Sequence, residues 1–514
     1  VGVDFPGDQA LKSNTSSCDK SSLKISQMRV YRIRPSCWHL MASCCFREAE
    51  VPVPMSFTRR QMLKGLTGLV VVGLGAGGAA RYWLGKVEDE NAGHDYELIA
   101  APLDVELVPG FKTEAWAFGP SAPGTELRVR QGTWLRVRFI NHLPVETTIH
   151  WHGIRLPLEM DGVPYVSQLP VKPGEFFVYK FRVPDAGSYW YHPHVSSSEE
   201  LGRGLVGPLI VEEREPTGFT HERTLSLKTW HVDEQGAFMP FSIPREAARN
   251  GTAGRLITIN GQANSVTELP AGQVVRVRLL NLDNTWTYRL NLKGNCEAMI
   301  YALDGNPITP RPLEDDYWLG PGMRICLAIR IPDAGEAISL RDGVVRLGTL
   351  RSVPSADKPG DWPPALPANP IAEPDLEKAE KLNFNFEWAG KVSVDTDNGR
   401  PPSLWQINGQ AWDITDKTCA DRPIATLQKG KSYIFELKNM TQYQHPIHLH
   451  GMSFKVIASN RRQIVEPWFT DTYLLGKNER AQVALVADNP GTWMFHCHVI
   501  DHMETGLMAA IAVV

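Results

Sequence analysis

Ten of the 15 histidines fall into four short clusters: His150/His152, His192/His194, His445/His448/His450 and His496/His498/His502. Residues two apart in a β-strand point to the same face, about 7 Å from each other, so each His-x-His pair presents two imidazoles side by side. Four such pairs supply eight imidazoles. Neutral imidazole binds copper, zinc, iron and nickel, so the histidines predict a metal centre without naming the metal.

One cysteine narrows the choice of metal. Cys497 lies between His496 and His498, so in a strand its thiol faces away from their imidazoles. A thiolate with two histidines and a weak axial position is the blue-copper electron-transfer arrangement, and Cys497, His445 and His502 supply that set. The thiolate then serves one copper while its neighbours serve another site, which couples one-electron oxidation to a multi-electron acceptor. Structural zinc takes four ligands and does not account for eleven.

The segments that carry these residues belong to a threefold repeat. Each copy has a glycine, an asparagine nine residues later and a third position nine residues further on, with alternating apolar residues between the first two, as in a β-strand. The triplets are Gly132/Asn141/His150, Gly272/Asn281/Leu290 and Gly430/Asn439/His448. The positions five and seven after a later glycine in each copy are His192/His194, Leu340/Asp342 and His496/His498. The second copy therefore has the scaffold without the histidines.

This repeat predicts an all-β protein of three Greek-key β-sandwich domains, at about 95–215, 216–375 and 376–514. The Pro/Ala-rich stretch 354–374 is the predicted linker into the third domain. A chain of 514 residues is too long for one hydrophobic core, which agrees with three domains. The formal net charge of −4 gives no reason to expect a nucleic-acid or anionic-membrane partner. The cysteines include no CxxC pair, and we expect Cys296 and Cys326 to be unpaired.

The first 85 residues are expected to lie outside the folded domains, with an export signal at 55–85. Residues 1–54 carry four cysteines without periodicity and are expected to be a disordered leader or an over-extended gene start. In 55–85, the pair Arg59-Arg60 before a short apolar run is typical of a twin-arginine export signal. The run is shorter than the ~20 residues that span a bilayer, so membrane contact is expected only through an uncleaved signal. The expected partner is the twin-arginine export machinery, and the expected location is the periplasm or another part of the cell envelope.

Four motifs resemble the copper motifs of the three-domain multicopper oxidases, which include laccases, copper-efflux oxidases and ascorbate oxidases. They are His150-Trp-His-Gly153, His192-Pro-His194, His445-Pro-Ile-His-Leu-His-Gly451 and His496-Cys-His-Val-Ile-Asp-His502. The resemblance covers about residues 95–514. It implies cupredoxin-like domains, four copper ions, a small-molecule electron donor and dioxygen as the acceptor.

The resemblance also implies which residues hold which copper. The type 1 ligands are His445, Cys497 and His502, and the type 2 ligands are His150 and His448. The type 3 ligands are His152, His192, His194, His450, His496 and His498. Because the two type 2 positions are equivalent in the first and third copies, we expect the trinuclear cluster to lie between those domains.

The axial position of type 1 copper falls ten residues after the cysteine in this family. Here that residue is Leu507 and not Met508. Leucine cannot ligate, so the copper is expected to be effectively three-coordinate, with a relatively high, laccase-like potential.

Asp161, eleven residues after His150, matches an acid that in some relatives hydrogen-bonds towards the trinuclear cluster and passes protons. We expect it to be catalytic together with Cys497; the alternative is a turn residue before Gly162. A second acid of some relatives, just after the last type 1 histidine, is replaced by Met503. Proton delivery is therefore expected to depend on Asp161 or Glu504.

The expected activity is laccase-like oxidation of phenols or aromatic amines, coupled to four-electron reduction of dioxygen to water. The rival within the class is a cuprous oxidase of copper tolerance, which the absence of a Met-rich insert between Phe454 and Trp493 disfavours. Copper-free cell-division relatives of this fold are an alternative from another class, although all eleven ligands are present. Copper nitrite reductases are a further alternative, but they have two domains per chain and lack this set of eight histidines. Trp405, Trp412 and Trp468 either line a donor cleft or belong to the core.

Overall fold

Strands dominate the part of the chain that the computed structural model describes, which is residues 96–313, 316–390 and 403–514. The predicted leader (1–54) and twin-arginine segment (55–85) lie outside the described residues. No helix among the described residues is long and apolar enough to span a membrane.

The first β-sandwich contains eight strands and one short helix. The strands are β1 (Tyr96–Val108), β2 (Phe111–Phe118), β3 (Leu127–Arg130), β4 (Trp134–Asn141), β5 (His150–His152), β6 (Phe176–Arg182), β7 (Gly187–His192) and β8 (Gly207–Glu212), with α1 (Ser197–Arg203) after β7 and a 3-10 turn at Leu158–Met160. They form two four-stranded sheets, in the orders β2-β1-β4-β6 and β3-β8-β7-β5. The second of these sheets places the histidine strands β5 and β7 side by side.

The second sandwich has eleven strands in the same plan. Its elements are β9 (Glu222–Trp230), α2 (Pro244–Ala247), β10 (Leu256–Ile259), β11 (Ser265–Pro270), β12 (Val274–Asn281), β13 (Tyr288–Lys293), β14 (Glu297–Leu303), β15 (Asn306–Pro312), β16 (Tyr317–Leu319), β17 (Arg324–Arg330), β18 (Ala337–Asp342) and β19 (Val345–Val353). The sheets run β10-β9-β12-β17-β14-β15 and β11-β19-β18-β13-β16. Cys296 and Cys326 are unpaired, as predicted.

The third sandwich repeats the plan and carries the remaining ligands. Its elements are β20 (Glu380–Trp388), β21 (Trp405–Ile407), a 3-10 turn at Cys419–Asp421, β22 (Ala425–Leu427), β23 (Ser432–Asn439), β24 (His445–Leu449), β25 (Phe454–Ser459), β26 (Trp468–Thr470), β27 (Thr472–Leu475), β28 (Arg480–Val486), β29 (Gly491–Cys497), α3 (Ile500–Glu504) and β30 (Met508–Val513). The sheets run β21-β20-β23-β28-β25-β26 and β22-β30-β29-β24-β27. The strands of all three sandwiches lie inside the predicted domain ranges, whose boundaries stay predictions.

The repeated asparagine has the same structural role in each sandwich. Strands β4, β12 and β23 end at Asn141, Asn281 and Asn439. Each side-chain amide donates to two backbone carbonyls at 2.7–2.9 Å, and each side-chain oxygen accepts from the backbone N–H two residues later. The asparagine thus fixes the loop that leads to the next strand, which in the first and third sandwiches begins with the histidine motif.

Hydrophobic cores fill the space between paired sheets. One continuous cluster joins the cores of the first and third sandwiches and includes Trp151, Phe495 and Cys497. The second sandwich has a core of its own, built from residues such as Val277 and Leu340. The alternating strand residues that face inward thus bury the apolar surface that stabilises each sandwich.

Candidate metal centre

The structure gathers the eleven predicted ligands into two buried groups. The eight-histidine group contains His150, His152, His192, His194, His448, His450, His496 and His498. The thiolate group contains His445, Cys497 and His502. Every one of these side chains belongs to a residue that is at most 8% exposed. Buried polar groups need partners, so both groups require an explanation.

Strand pairing brings the histidine motifs together within each sandwich. His150 on β5 lies opposite His192 on β7, and His448 on β24 lies opposite His496 on β29. The expectation that each His-x-His pair lies within a strand is correct only for the pair in β5. The second histidine of every other pair lies just beyond its strand, one residue past the end for His450 and His498 and two residues past it for His194. These residues therefore approach the group from loops anchored by the strand ends.

The eight-histidine group forms where the first and third sandwiches meet. His150 stacks on His450 with ring centroids 3.8 Å apart, and His152 stacks on His448 at the same distance. Each sandwich thus contributes four imidazoles, and neither holds a complete group. This agrees with the location expected from the repeat.

Hydrogen bonds fix which ring nitrogen faces the centre of the group. A carbonyl oxygen only accepts, so Nδ1 is the donor in His150, which bonds Asp161 O at 2.8 Å, and in His448, which bonds Asp471 O at 2.9 Å. Their Nε2 atoms are buried without a hydrogen-bond partner among the described residues. His152 is reversed, because its Nε2 contacts Asp471 Oδ1 at 3.2 Å and its Nδ1 is the unpartnered atom.

Six of the eight histidines have a ring nitrogen without a hydrogen-bond partner among the described residues, while Nε2 of His450 and His496 contact each other at 3.0 Å. Ligand atoms lie within 4.8 Å of one another in three all-histidine sets: His150/His152/His448, His152/His192/His498 and His194/His450/His496. The last two sets together contain the six residues predicted as type 3 ligands. An unpaired buried polar atom costs about 1–3 kcal/mol. A cluster of such nitrogens is therefore what a site for a bound cation would present. The assignment of individual residues to type 2 or type 3 copper stays a prediction.

Burial also keeps these imidazoles in the form that binds metal. Desolvation, followed by repulsion from neighbouring imidazoles, lowers the pKa of seven of them: His152, His192, His194, His448, His450, His496 and His498. A lowered histidine pKa favours the neutral ring, whose lone pair is the ligand.

The thiolate group lies on the other side of strand β29. Cys497 Sγ is 3.5 Å from Nδ1 of both His445 and His502, and those two nitrogens are 3.1 Å apart. The remaining Nε2 atoms are engaged, since His502 donates to Arg249 O at 2.9 Å and His445 contacts Thr441 Oγ1 at 2.9 Å. Burial lowers the pKa of His502 to about 3 and raises the pKa of the Cys497 thiol. Two nitrogens and one sulfur converge on one point, as a blue-copper site requires.

The axial region of the thiolate group is apolar. Leu507 is fully buried in the same core cluster as Cys497, and its carbonyl accepts from the Cys497 N–H at 3.0 Å. Met508 belongs to a different cluster, with Met494 and Met503. The structure therefore brings Leu507, and not Met508, to the core that surrounds the thiol.

Asp161 contacts two histidines from different sandwiches. Its carboxylate Oδ2 accepts from His450 Nδ1 at 2.8 Å, while its carbonyl accepts from His150. The side chain is 1% exposed. Hydrogen bonds of this kind orient metal ligands and fix their tautomers, so these contacts suit the predicted role of Asp161 better than that of a turn residue alone.

Asp471 is a counterpart of Asp161 that the sequence analysis missed. It contacts His448 through its carbonyl and His152 through its carboxylate, and it forms a two-pronged ion pair with Arg324 at 2.6 and 2.7 Å. Despite burial, the guanidinium holds the pKa of the Asp471 carboxyl well below its usual range. Asp471 lies 23 residues after His448, whereas Asp161 lies eleven after His150, so the repeat frame does not align them.

The three tryptophans considered for a donor cleft lie in different places. Trp405 contacts both type 1 histidine rings, with centroids 4.4 Å from His502 and 5.1 Å from His445. Trp412 lines a cavity on the side of His194, and Trp468 packs against the hydrophobic cores. Only Trp405 adjoins the thiolate group.

Comparison with known proteins identifies the fold and its chemistry. Two family models, both described as multicopper oxidase, match residues 102–216 and 386–514. A crystal structure of a multi-copper oxidase from Pseudomonas parafulva is 91% identical, with a TM-score of 0.77, over 82% of this chain and 100% of that one. The chain belongs to the multicopper oxidase family. A multi-copper oxidase structure from Pseudomonas thermotolerans is 69% identical, with a TM-score of 0.78, over 82% of this chain and 99% of that one. The multicopper oxidase mco of Staphylococcus epidermidis is 26% identical over 83% of this chain and 90% of that protein.

Membership in the multicopper oxidases agrees with the donor atoms that the structure collects. Imidazole nitrogens and one thiolate are copper ligands, and a four-copper complement is typical of this family. The all-β, cupredoxin-like fold with three sandwiches is confirmed. This multicopper oxidase is an oxidoreductase with dioxygen as its electron acceptor.

Proposed function

We propose that this multicopper oxidase is laccase-like: it oxidises small phenols or aromatic amines at the thiolate group and reduces dioxygen to water at the eight-histidine group. The observation that carries the proposal is the position of Cys497. Its thiol belongs to the thiolate group, while its peptide neighbours His496 and His498 belong to the eight-histidine group. A few covalent bonds therefore connect the two groups.

The residues around both groups explain how the chain supports this reaction. Bound copper supplies one-electron oxidation at the thiolate group and four-electron reduction of dioxygen at the eight-histidine group. Asp161 orients His150 and His450. Glu504 lines the cavity that reaches His194, accepts from Ser198 Oγ at 2.5 Å and has its pKa raised by burial. Asp161 and Glu504 thus hold the carboxyl groups available for the four protons that dioxygen reduction consumes.

A cavity beside the thiolate group is the proposed donor site. It has a volume of about 700 Å³, and its lining includes Trp405, Thr441 and Arg249. Thr441 and Arg249 are the residues that contact the Nε2 atoms of the type 1 histidines. A donor in this cavity is therefore separated from the ligands by a single residue. The volume suits one small aromatic molecule.

The lining of this cavity favours aromatic donors over cuprous ions. Among its described lining residues, Met440 is the one thioether and there is no carboxylate. Met494, Met503 and Met508 line the cavity on the side of His194 instead. Soft thioether ligands select cuprous ions, so a cuprous oxidase is expected to concentrate methionines near the thiolate group.

Oxygen uptake separates the two activities. The copper-loaded protein is expected to consume dioxygen faster with guaiacol than with a cuprous complex, when each is supplied at a saturating concentration. Efficient cuprous oxidation without turnover of any phenol or aromatic amine would instead establish the copper-tolerance alternative.

The Leu507→Met variant tests the proposed axial position. A thioether ligand stabilises cuprous copper and weakens oxidising power, so the type 1 potential is expected to fall by on the order of 0.1 V. Redox titration of the blue absorption band measures the change. The Met508→Leu variant is the matched control and should leave the potential unaltered. An unchanged potential in Leu507→Met would refute the axial assignment.

The Asp161→Asn variant tests the proposed proton role. Asparagine keeps an oxygen that accepts from His450 Nδ1 but does not carry the proton. Reoxidation by dioxygen is expected to slow by about 10–100-fold while the blue band stays intact, the usual range for a residue that supports metal ligands. Stopped-flow reoxidation of the reduced protein gives the rate. Reoxidation at the wild-type rate would count against the role.

Under this proposal the protein works outside the plasma membrane, after export in folded form. The support is the Arg59-Arg60 pair before a short apolar run. Cell fractionation should find the wild-type protein in the envelope and an Arg59→Lys, Arg60→Lys double variant in the cytoplasm. Equal export of both would remove the twin-arginine assignment.

A further inference from the structure

Two arginines, Arg245 and Arg249, line the cavity beside the thiolate group. They are four residues apart, so one helical turn brings them to the same side of α2 and the residues that follow it. Ala247 between them is fully buried, and its carbonyl accepts from Trp405 Nε1 at 2.9 Å. This buried anchor holds the segment, and with it both arginines, against the third sandwich.

The two guanidinium groups give the cavity a positive charge. Both arginines are exposed, and neither forms an ion pair with another residue in the described part of the chain. Glu246 lies between them on α2 but is not among the lining residues. Arginine binds carboxylates and sulfonates through two parallel hydrogen bonds, and a cuprous cation gains nothing from such a site.

The rest of the lining is mostly aromatic and apolar, with Thr441 and Gln442 as its polar members. Trp388 is 37% exposed, Met440 is 49% exposed, and Tyr443 and Trp405 complete the wall. Flat apolar surfaces of this kind pack against an aromatic ring. A ring on this wall lies beside Arg249, whose carbonyl oxygen accepts from His502 Nε2. Arg249 thus offers its guanidinium to an anion and its carbonyl to a histidine of the thiolate group.

We propose that the cavity is built for aromatic donors that carry a negative charge, such as phenols with a ring carboxylate or sulfonate. The arginines bind the anionic group, and the tryptophan and tyrosine rings hold the aromatic ring near His502. This inference rests on the proposed function, since it assigns the class of donor for the same site. Four donor molecules each lose one electron and one proton to become phenoxyl radicals. One dioxygen molecule takes up the four electrons and four protons and forms two waters. The anionic group is not consumed.

Matched donors test the kinetic part of the inference. Vanillate and guaiacol share the phenol and the methoxy group, and only vanillate has the carboxylate. In the Arg245→Gln, Arg249→Gln double variant, the ratio of kcat/KM for vanillate to kcat/KM for guaiacol is expected to fall about tenfold, mostly through KM for vanillate. The Arg245→Lys, Arg249→Lys variant should recover part of the ratio. Arg346→Gln removes an exposed arginine of the second sandwich and should leave the ratio unaltered.

Binding without turnover separates this inference from the proposed function. Calorimetry on the copper-loaded protein is expected to show that anisate binds more tightly than anisamide, and that the glutamine double variant abolishes the difference. If anisate binding depends on the arginines but no phenol is oxidised, the anion site stands and the laccase-like function fails. If phenols are oxidised but neither the kinetic ratio nor anisate binding depends on the arginines, the inference is wrong and the proposed function stands.

Discussion

The Cys497→Ser variant is expected to lose oxidase activity by at least about a thousandfold, together with the blue absorption band. The thiol is the one sulfur atom of the thiolate group and lies 3.5 Å from both histidine nitrogens. A serine hydroxyl is nearly the same size, so the core around it should persist. It is a poor copper ligand at neutral pH, because it stays protonated.

Copper content shows whether the Cys497→Ser variant has lost its activity through one metal site or through loss of the fold. The eight-histidine group has no ligand at position 497, so copper bound there should remain, and the copper content should fall by about one ion of the four typical of the family. Cys419→Ser changes a half-buried cysteine remote in sequence from both groups and serves as the control. A Cys497→Ser protein that retains the blue band or normal oxygen uptake would contradict the ligand assignment.

The Asp471→Asn variant is expected to lose about 3–5 kcal/mol of unfolding free energy, the usual cost of removing one partner from a buried ion pair. Arg324 comes from the second sandwich and Asp471 from the third, and both side chains are at most 1% exposed. Asparagine leaves the guanidinium charge buried and weakly compensated. Denaturant unfolding of the copper-free protein measures the loss.

The same substitution should weaken copper binding, because Asp471 also contacts His152 and His448. A loss of about 10–100-fold in affinity is usual for residues that orient metal ligands. Asp488→Asn is the matched control: that carboxylate, 36% exposed, contacts Arg155 at 3.3 Å and should cost less than about 1 kcal/mol. Equal stability losses in the two variants would show that burial gives the Asp471 pair no special weight.

The fold followed from regularities that the sequence displays directly. The Gly–Asn–His spacing marks equivalent strands, and the structure explains it, since each asparagine links the end of its strand to two backbone carbonyls. The ligand clusters were visible because they occupy equivalent positions in that frame. Local periodicity was therefore sufficient to predict the three sandwiches and the candidate ligands.

Contacts between different sandwiches could not be predicted from the sequence repeat. Asp471 meets Arg324 across 147 residues, and Arg249 meets His502 across 253. Neither contact leaves a periodic signal in the chain. Strand ends were also misjudged: His194, His450 and His498 lie in loops, because the pairing that defines each strand stops before them. A positioning acid and a donor cavity depend on such tertiary contacts.

The most direct test of the central claim is the visible absorption spectrum of the copper-loaded protein during one redox cycle. A laccase-like enzyme should show an intense blue thiolate band, lose it when a phenolic donor is added without oxygen, and regain it when dioxygen is admitted. That result would link donor oxidation at the thiolate group to dioxygen reduction at the eight-histidine group. A fully copper-loaded protein without a blue band, or with one that a phenol does not bleach, would contradict the account.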